Sequence, residues 1–282
     1  MIRGIILDVD GVLIGSKKGY NWPNPHPAVL KALKFLRSKG IIISLCTGKG
    51  AFAIKDIVNA AHLNNLHIGD GGAVVIDFID NVFIDKFNIN KQLASEVIQK
   101  YLDAHIYLEL YTLEGYYIQK DQVSDITNKH TDILNRSPTI KDSLIDVSPQ
   151  LEIVKIMPIA NDEKEKLKVI QLFEPFKNKL TIQWGVHPTA LPYQFGIITL
   201  KGISKKHAAE TISKKTEISF EHMLGVGDGM TDWNFMQLCK YIGVMGNASD
   251  ELKKISKKKE SFIGPSVYEN GILSIFEHFR LI

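Results

Sequence analysis

Short apolar runs rich in β-branched residues recur at both ends of the chain, each followed by a turn that contains glycine or a polar residue. Residues 2–7, 41–45 and 223–226 have this form, and 66–68 is a shorter candidate. An apolar run without alternation predicts a strand covered on both faces, as in a parallel sheet. Apolar residues at helical spacing over 27–39 supply the crossover that parallel strands need. The two ends of the chain therefore predict an α/β fold.

The middle of the chain, residues 84–198, departs from this pattern. Alternating residues over 108–119 predict a β-hairpin, and a polar-faced helix is expected over 162–173. An α+β block that interrupts an α/β pattern is typical of an insertion. We therefore expect residues 1–83 and 199–282 to form one core, with 84–198 as an inserted domain.

Two aspartates, Asp8 and Asp10, come directly after the first apolar run. Side chains two residues apart on a strand point the same way, and open α/β sheets bind ligands at the carboxyl ends of their strands. Two buried carboxylates are costly unless a cation or a proton neutralises one, and Mg²⁺ prefers such oxygen ligands. This pattern indicates a metal site, although two solvated aspartates that shape a turn would leave the same pattern.

Two further turns carry polar residues at strand ends. Thr47-Gly48 follows the second apolar run, where a hydroxyl and backbone N–H groups can hold a phosphate, although Thr-Gly turns are common. Asp228 lies among glycines after the last apolar run, and Asp232 follows four residues later. Asp232 has two interpretations, a site residue or the N-cap of a helix over 232–239. Asp228, at a third parallel strand end, indicates a functional role more strongly.

These segments occur together in an order known from one group of proteins, and the chain resembles the haloacid dehalogenase superfamily. Within it, the chain is similar to the Cof-type, class IIB phosphatases, which carry a large C2 cap inserted late in a Rossmann-like parallel-sheet core. The segments that carry the resemblance are Asp8-Val9-Asp10-Gly11, Thr47-Gly48, Gly202-Ile203-Ser204-Lys205, Gly227-Asp228 with Asp232, and Met245-Gly246-Asn247-Ala248. The chain departs from the family at Thr231, where Asn is usual, at Lys49, where Arg is frequent, and at Lys206, where Gly is usual.

The resemblance implies a chemistry and assigns residues to it. Asp8 would be the nucleophile that forms an aspartyl-phosphate, and Asp10 the general acid and base. One Mg²⁺ cofactor would be held by Asp8, Asp10 and Asp228, with Asp10 contributing its backbone carbonyl. The residues implied in binding the phosphoryl group are Gly11, Thr47, Gly48, Lys205 and Asp232.

The sequence leaves two assignments open, the phosphate-binding lysine and the location of His187. Lys201 is a rival to Lys205 for the phosphate-binding lysine, because it precedes Gly202 directly, but the turn before Lys205 favours the latter. His187, near the end of the insert, is a candidate for the substrate pocket, although a place at the edge of the cap sheet is favoured. Trp184, Tyr193 and Gln194 have the same two interpretations, and no motif in the insert indicates which residues select the substrate.

The resemblance implies hydrolysis of a small phosphorylated metabolite, with a sugar phosphate as the expected class. A phosphomutase uses the same covalent intermediate and would differ by forming an isomer rather than free phosphate. A non-catalytic module that binds metal or phosphate is a third possibility, since fold alone does not prove function. That third reading predicts loss of the nucleophile or the acid, whereas Asp8, Asp10, Lys205 and Asp228 are all present.

Composition argues against several other classes of protein. Lys and Arg number 34 against 31 Asp and Glu, and the basic run at 253–259 has no interleaved aromatic residues, so nucleic acid is not an expected partner. No apolar stretch is long enough to span a membrane, and the first residues do not resemble a signal peptide. Cys46 and Cys239 have neither disulfide nor metal-ligand spacing. We expect a cytoplasmic protein, whose oligomeric state no periodicity indicates.

Overall fold

The computed structural model describes residues 1–282, apart from the side chain of Pro188. The first part of the chain alternates strands and helices and then forms a hairpin. Its elements are β1 (Gly4–Leu7), α1 (Pro27–Ser38), β2 (Ile42–Leu45), α2 (Lys55–Ala61), β3 (Leu66–Gly69), β4 (Val74–Asp77) and β5 (Val82–Lys86). Helix α1 begins at Pro27, where a missing N–H is tolerated, and ends before Gly40, which has a φ of +82°.

The middle and last parts of the chain supply the remaining elements. The middle part contains α3 (Lys91–Asp103), β6 (Tyr107–Tyr111), β7 (Tyr116–Gln119), α4 (Asp125–Leu134), β8 (Thr139–Lys141), α5 (Leu144–Val147), β9 (Lys155–Ala160), α6 (Glu163–Phe173), β10 (Leu180–Val186) and β11 (Gln194–Leu200). The last part contains α7 (Lys205–Thr216), β12 (Met223–Gly227), α8 (Met230–Met236), β13 (Tyr241–Val244), α9 (Asp250–Ser256), β14 (Ser261–Ile263) and α10 (Gly271–His278).

The main sheet has five parallel strands in the order β14-β13-β12-β1-β2. Successive side chains of a strand point to opposite faces, so β1 needs apolar partners on both sides. Ile5 and Leu7 pack with residues of α1 such as Leu33, whereas Ile6 packs on the other face with Ala208 of α7 and Met236 of α8. The prediction of a parallel, doubly covered sheet is confirmed.

Strand β3 lies where it was predicted, but it hardly contributes to the parallel sheet. A single bridge, between Cys46 and Ile68, connects it to the end of β2. Its full ladder is antiparallel to β4, which pairs in turn with β5 in a separate sheet of three strands. The sequence pattern missed β4 and β5, whose turn includes Asn81 at a φ of 53°. The expectation that 66–68 continues the parallel sheet is therefore wrong.

The middle of the chain forms its own sheet of six strands, in the order β10-β11-β9-β6-β7-β8. Helices α3, α5 and α6 cover one face through residues such as Val97, Leu144 and Val169. The other face carries α4 and also packs against the core, where Tyr111 shares an apolar cluster with Ala73. The predicted hairpin is β6 and β7, and the predicted helix is α6, capped by Asp162. The insert is thus an α+β unit placed on one end of the parallel core.

The predicted fold class, an α/β parallel-sheet core with an inserted α+β cap, is confirmed. We propose that the cap spans residues 84–198, although these limits fall inside two strands, since β5 and β11 contain them. Both strands pass between the two units, so the division is a description of packing rather than of a linker.

Three features bear on the compositional predictions. Cys46 and Cys239 are buried free thiols. The basic run at 253–259 begins in α9 and continues past its end. Among the residues that the structure describes, no helix combines the length and the apolar character needed to cross a bilayer.

Candidate active site

Two neighbouring strands deliver aspartates to the same edge of the parallel sheet. β1 ends at Leu7 and is followed by Asp8, and the adjacent β12 ends at Gly227 and is followed by Asp228. The Asp8 amide donates to the carbonyl of Val226 at 3.0 Å, which continues the ladder to that residue. Carboxylate oxygens of Asp8, Asp228 and Asp232 all lie within 4.8 Å of one another. The sequence placed these residues at strand ends, and the fold brings them together.

Asp232 reaches this cluster from the first turn of α8. The helix begins at Met230, and Gly229 is its N-cap, so the interpretation of Asp232 as the N-cap is wrong. One oxygen of Asp232 instead accepts from the amides of Asp228 and Gly229, at 3.0 and 2.9 Å. These bonds satisfy amides that the start of the helix leaves unpaired, and they fix the carboxylate with its other oxygen facing the cluster.

Lys205 joins two of the three carboxylates. Its Nζ donates to Asp8 at 2.8 Å and to Asp232 at 2.6 Å, and the side chain is buried. Ser204 caps α7 and so holds the lysine at the first position of that helix. Lys201 is exposed and donates to the carbonyl of Lys177 at 2.9 Å. Of the two candidate lysines, Lys205 is therefore the one that lies at the cluster.

Three carboxylates and one ammonium group share this pocket, and their charges shift one another. Burial raises the pKa of Asp8 to about 7, with repulsion from Asp232 adding to the effect and Lys205 opposing it. Burial, with Asp232 and Asp8, also raises the pKa of Asp228 well above its usual value. Burial alone would lower the pKa of Lys205, but attraction to Asp232 and Asp8 outweighs it and raises the pKa. Excess buried carboxylate of this kind fits a hard divalent cation such as Mg²⁺.

The turn after β1 closes tightly on Asp228. Gly11 has a φ of +76°, and a Cβ at this position would lie 1.9 Å from a carboxylate oxygen of Asp228. Asn247 holds both sides of the contact, since its amide donates to the Gly11 carbonyl and to Asp228, each at 3.0 Å. Asn247 belongs to one of the segments that carry the family resemblance, but its sequence context indicates no role for it. Its position in a turn directly after β13 is the signal that could have found it.

The Asp10 side chain turns away from the carboxylate cluster towards two basic residues. The Nζ of Lys49 lies 2.8 Å from Asp10 Oδ1, and the Nε2 of His187 lies 3.5 Å from the same atom. Burial alone would raise the pKa of Asp10, but Lys49 and His187 outweigh it and hold the pKa below its usual value. The sequence predicted His187 at the edge of the cap sheet. It follows β10, and it also reaches the site from the cap.

The Thr47-Gly48 turn lies at the end of β2, beside the same edge of the sheet. The Thr47 hydroxyl accepts from the Lys49 amide at 3.1 Å, which leaves its own O–H available to a ligand. The Gly48 carbonyl accepts from the Nζ of Lys155, a residue of cap strand β9, at 2.9 Å. Lys155 also lies 3.0 Å from Asp70, and both side chains are fully buried. A lysine at the start of an otherwise apolar strand was the missed signal of this contact.

The sequence model of one protein family, described as haloacid dehalogenase-like hydrolase, matches residues 5–276. The chain belongs to this family. The predicted resemblance and the prediction that the protein is an enzyme, a hydrolase, are therefore confirmed. The match includes both the parallel core and the inserted cap, so the family assignment does not rest on the core segments alone.

Relatives of this haloacid dehalogenase-like hydrolase cover most of its length. An uncharacterized hydrolase of Schizosaccharomyces pombe is 28% identical over 264 residues, which are 85% of this chain and 79% of that protein. The phosphatase YwpJ of Bacillus subtilis is 22% identical over 269 residues, 89% of this chain and 92% of its own. A solved subclass IIB sugar phosphatase of the superfamily superposes with a TM-score of 0.80 at 18% identity, covering 99% of this chain and all of its own. At that identity the superposition shows a shared fold.

Proposed function

We propose that this hydrolase is a magnesium-dependent phosphatase that cleaves a small phosphorylated metabolite through an aspartyl-phosphate on Asp8. The observation that carries the proposal is the Asp8 carboxylate at the end of β1, in contact with Lys205 and within reach of Asp228 and Asp232. The relatives named as phosphatases support the reaction class. A sugar phosphate is the proposed substrate class, supported by the shared fold with a sugar phosphatase.

The metal would be held by Asp8, Asp228 and the backbone carbonyl of Asp10, with Asp232 close enough to orient a bound water. Bound Mg²⁺ would offset the repulsion between the carboxylates and an incoming phosphate. Gly11 and Asn247 keep Asp228 in place for this purpose, since both contact its carboxylate. The Lys205 ammonium, which contacts Asp8 and Asp232, adds a fixed positive charge beside Asp8.

In the first half of the reaction, an oxygen of Asp8 attacks phosphorus while the bond from phosphorus to the leaving oxygen breaks. Asp10 gives a proton to that leaving oxygen. In the second half, Asp10 takes a proton from water, and the water oxygen attacks phosphorus, so that Asp8 and inorganic phosphate are released. Thr47, Lys205 and the backbone at Gly48 would bind the oxygens of the transferred group.

The contacts of Asp10 decide when it can act as an acid. Before substrate binds, Lys49 and His187 favour its carboxylate form, which suits the second half of the reaction. A dianionic phosphate beside Asp10 offsets these two basic residues and favours the protonated form that the first half needs. The substrate thus helps to set the protonation state on which its own cleavage depends.

Phosphate release from a panel of sugar and polyol phosphates, with Mg²⁺ or with a chelator, tests the proposal. We expect metal-dependent turnover that falls by at least about 10³-fold in Asp8→Asn, since removal of a nucleophile typically costs this much or more. Asp142→Asn is a matched control, because its side chain is 93% exposed. Isomer formation without free phosphate would identify a phosphomutase instead, and undiminished turnover in Asp8→Asn would refute the mechanism.

The same assay separates the two candidate lysines. Lys205→Met should lower turnover by about 10²-fold or more, because it removes a charge aimed at the transferred group. Lys201→Met should leave turnover unchanged, since Lys201 is exposed and bonded to a backbone carbonyl. The reverse result would reassign the phosphate-binding lysine.

A further inference from the structure

A cavity of about 240 Å³ lies between the core and the cap. The core contributes Asn24, Lys49, Phe52 and Lys55, and the cap contributes the segment from Ile133 to Arg136. Because its walls come from both units, the cavity exists only when the cap lies against the core. Such a position suits a binding site for the part of a substrate that differs between related enzymes.

Lys49 connects this cavity to the proposed chemistry. It lines the cavity, and its Nζ lies 2.8 Å from the Asp10 carboxylate. Asp10 is the residue that we propose to protonate the leaving oxygen. The cavity is therefore on the leaving-group side of the site, where the non-transferred part of the substrate would lie.

The charged residues that line the cavity are predominantly basic. Lys49, Lys55 and Arg136 carry positive charge, and Asp56 is the acidic residue among the described lining side chains. Lys49 is already paired with Asp10. Lys55 and Arg136 have no carboxylate within ion-pair distance among the side chains that the structure describes. Their charges are available to a ligand.

Arg136 is held in place by groups other than an acid. It directly follows Asn135, the C-cap of α4, and its backbone carbonyl accepts from the Tyr116 hydroxyl at 2.9 Å. Its guanidinium lies 4.9 Å from the centre of the Phe52 ring, which is stacked in turn on Tyr111 and Tyr116. A guanidinium fixed against an aromatic face keeps its N–H donors free for a planar or tetrahedral anion.

We propose that the leaving group of the substrate carries a second anionic group, a phosphate or a carboxylate, and that Arg136 binds it with help from Lys55. The proposal rests on the phosphatase function proposed above, because Asp10 defines which side of the site holds the leaving group. It makes Arg136 a residue that determines specificity, and it narrows the substrate class to phosphate esters with a second negative group.

Steady-state kinetics on matched substrates tests this. Glucose 1,6-bisphosphate is compared with glucose 1-phosphate and glucose 6-phosphate, and 6-phosphogluconate is compared with glucose 6-phosphate. We expect kcat/KM to be at least about tenfold higher for the substrates with a second anion, since a charge-assisted hydrogen bond is worth about that factor. Arg136→Gln should reduce this preference about tenfold, mainly through KM, whereas Arg280→Gln, at an exposed position, should not.

The same kcat/KM values show whether the second anionic group is a phosphate or a carboxylate. A preference for the bisphosphate alone assigns the site to a second phosphate, and a preference for 6-phosphogluconate alone assigns it to a carboxylate. Equal kcat/KM for substrates with and without the second anion overturns the proposal. So does a loss in Arg136→Gln that is the same for every substrate.

A binding measurement distinguishes failure of this inference from failure of the proposed function. Calorimetric titration of Asp8→Asn with glucose 1,6-bisphosphate, glucose 6-phosphate and 6-phosphogluconate, in Mg²⁺, does not depend on turnover. If wild type cleaves nothing, the proposed function fails, but tighter binding of either compound with a second anionic group that is lost on adding Arg136→Gln still supports the anion site. If neither binds more tightly than glucose 6-phosphate, the anion site itself is overturned.

Discussion

At the scale of single residues, the site consists of acidic and basic side chains that contact one another. Asp8 and Asp232 each contact Lys205, while Asp10 contacts Lys49 and, more distantly, His187. The two aspartates of the first segment therefore have different surroundings although they are two residues apart. Burial and Asp232 raise the pKa of Asp8, and basic partners lower that of Asp10. Asp8 therefore depends on nearby positive charge for its ionised form, whereas the partners of Asp10 favour its carboxylate without further help.

Gly11 tests how closely the turn after β1 must approach Asp228. Gly11→Ala should lower activity by at least about 10²-fold and weaken Mg²⁺ binding, because the new Cβ would displace the Asp228 carboxylate. Gly19→Ala is the matched control, since Gly19 has a φ of +77° but no atom within 4 Å of an added Cβ. Both variants pay about 1–2 kcal/mol of backbone strain. If both variants lost activity to the same extent, backbone strain and not the contact with Asp228 would explain the loss.

At the scale of elements, strand ends and the helices that follow them set the positions of the functional groups. The turn after β2 carries Thr47, and the start of α8 carries Asp232. The short strand β3 contacts the end of β2 through the His67 ring. Nδ1 of His67 accepts from the Leu45 amide at 3.1 Å, and Nε2 donates to the Leu63 carbonyl at 2.9 Å. These bonds require the neutral ring, and burial lowers the pKa of His67 to about 4.

The His67 contacts predict a pH dependence of stability. An unfolded chain binds the proton near pH 6.5, whereas the folded chain resists it until about pH 4. The stability that the neutral His67 ring gives the fold is therefore fully present above pH 6.5. It is lost as pH falls towards 4, by about 3 kcal/mol in total. In urea unfolding, His67→Asn should lose stability less steeply than wild type over this range. His105→Asn, at an exposed position with a φ of 56°, should keep the wild-type slope, and parallel curves for His67→Asn would contradict the prediction.

At the scale of the whole molecule, the cap is joined to the core by a buried ion pair. Lys155 of the cap contacts Asp70 and the Gly48 carbonyl of the core, and its Nζ lies 3.6 Å from the centre of the Tyr111 ring. Burial opposes charge on both partners, raising the pKa of Asp70 and lowering that of Lys155. A contact that spans both units and ends on the proposed phosphate-binding turn can position that turn when the cap is closed.

Removing one partner of this pair should cost more than removing both. Lys155→Met should lower the free energy of unfolding by about 3–5 kcal/mol, because Asp70 is left buried without its partner. Lys155→Met combined with Asp70→Asn should recover most of that loss, and Asn tolerates the φ of 53° at this position. Urea unfolding of the wild type, both single variants and the double variant measures the coupling. Additive losses would show that the pair does not stabilise the fold.

Much of the core and the positions of its candidate site residues could be predicted from the sequence, because they depend on local order along the chain. An apolar strand followed by a turn places Asp8, Thr47 and Asp228 at strand ends whatever else the protein contains, and parallel strands align those ends at one edge. The insert was recognisable as α+β for the same reason, since hairpins and capped helices have local patterns. The β4–β5 hairpin escaped because its strands are short and its turn lacks glycine.

The tertiary structure alone decided which distant groups meet at the site. The contacts of Asp10 with His187, of Lys155 with Asp70, and of Arg136 with Phe52 join residues of the cap to residues of the core. No periodicity records such pairs, because they depend on how two packed surfaces come together rather than on spacing along the chain. Local sequence thus determined where the candidate nucleophile lies, whereas the contacts between core and cap residues and the cavity between the two units were decided only by the packing of the cap on the core.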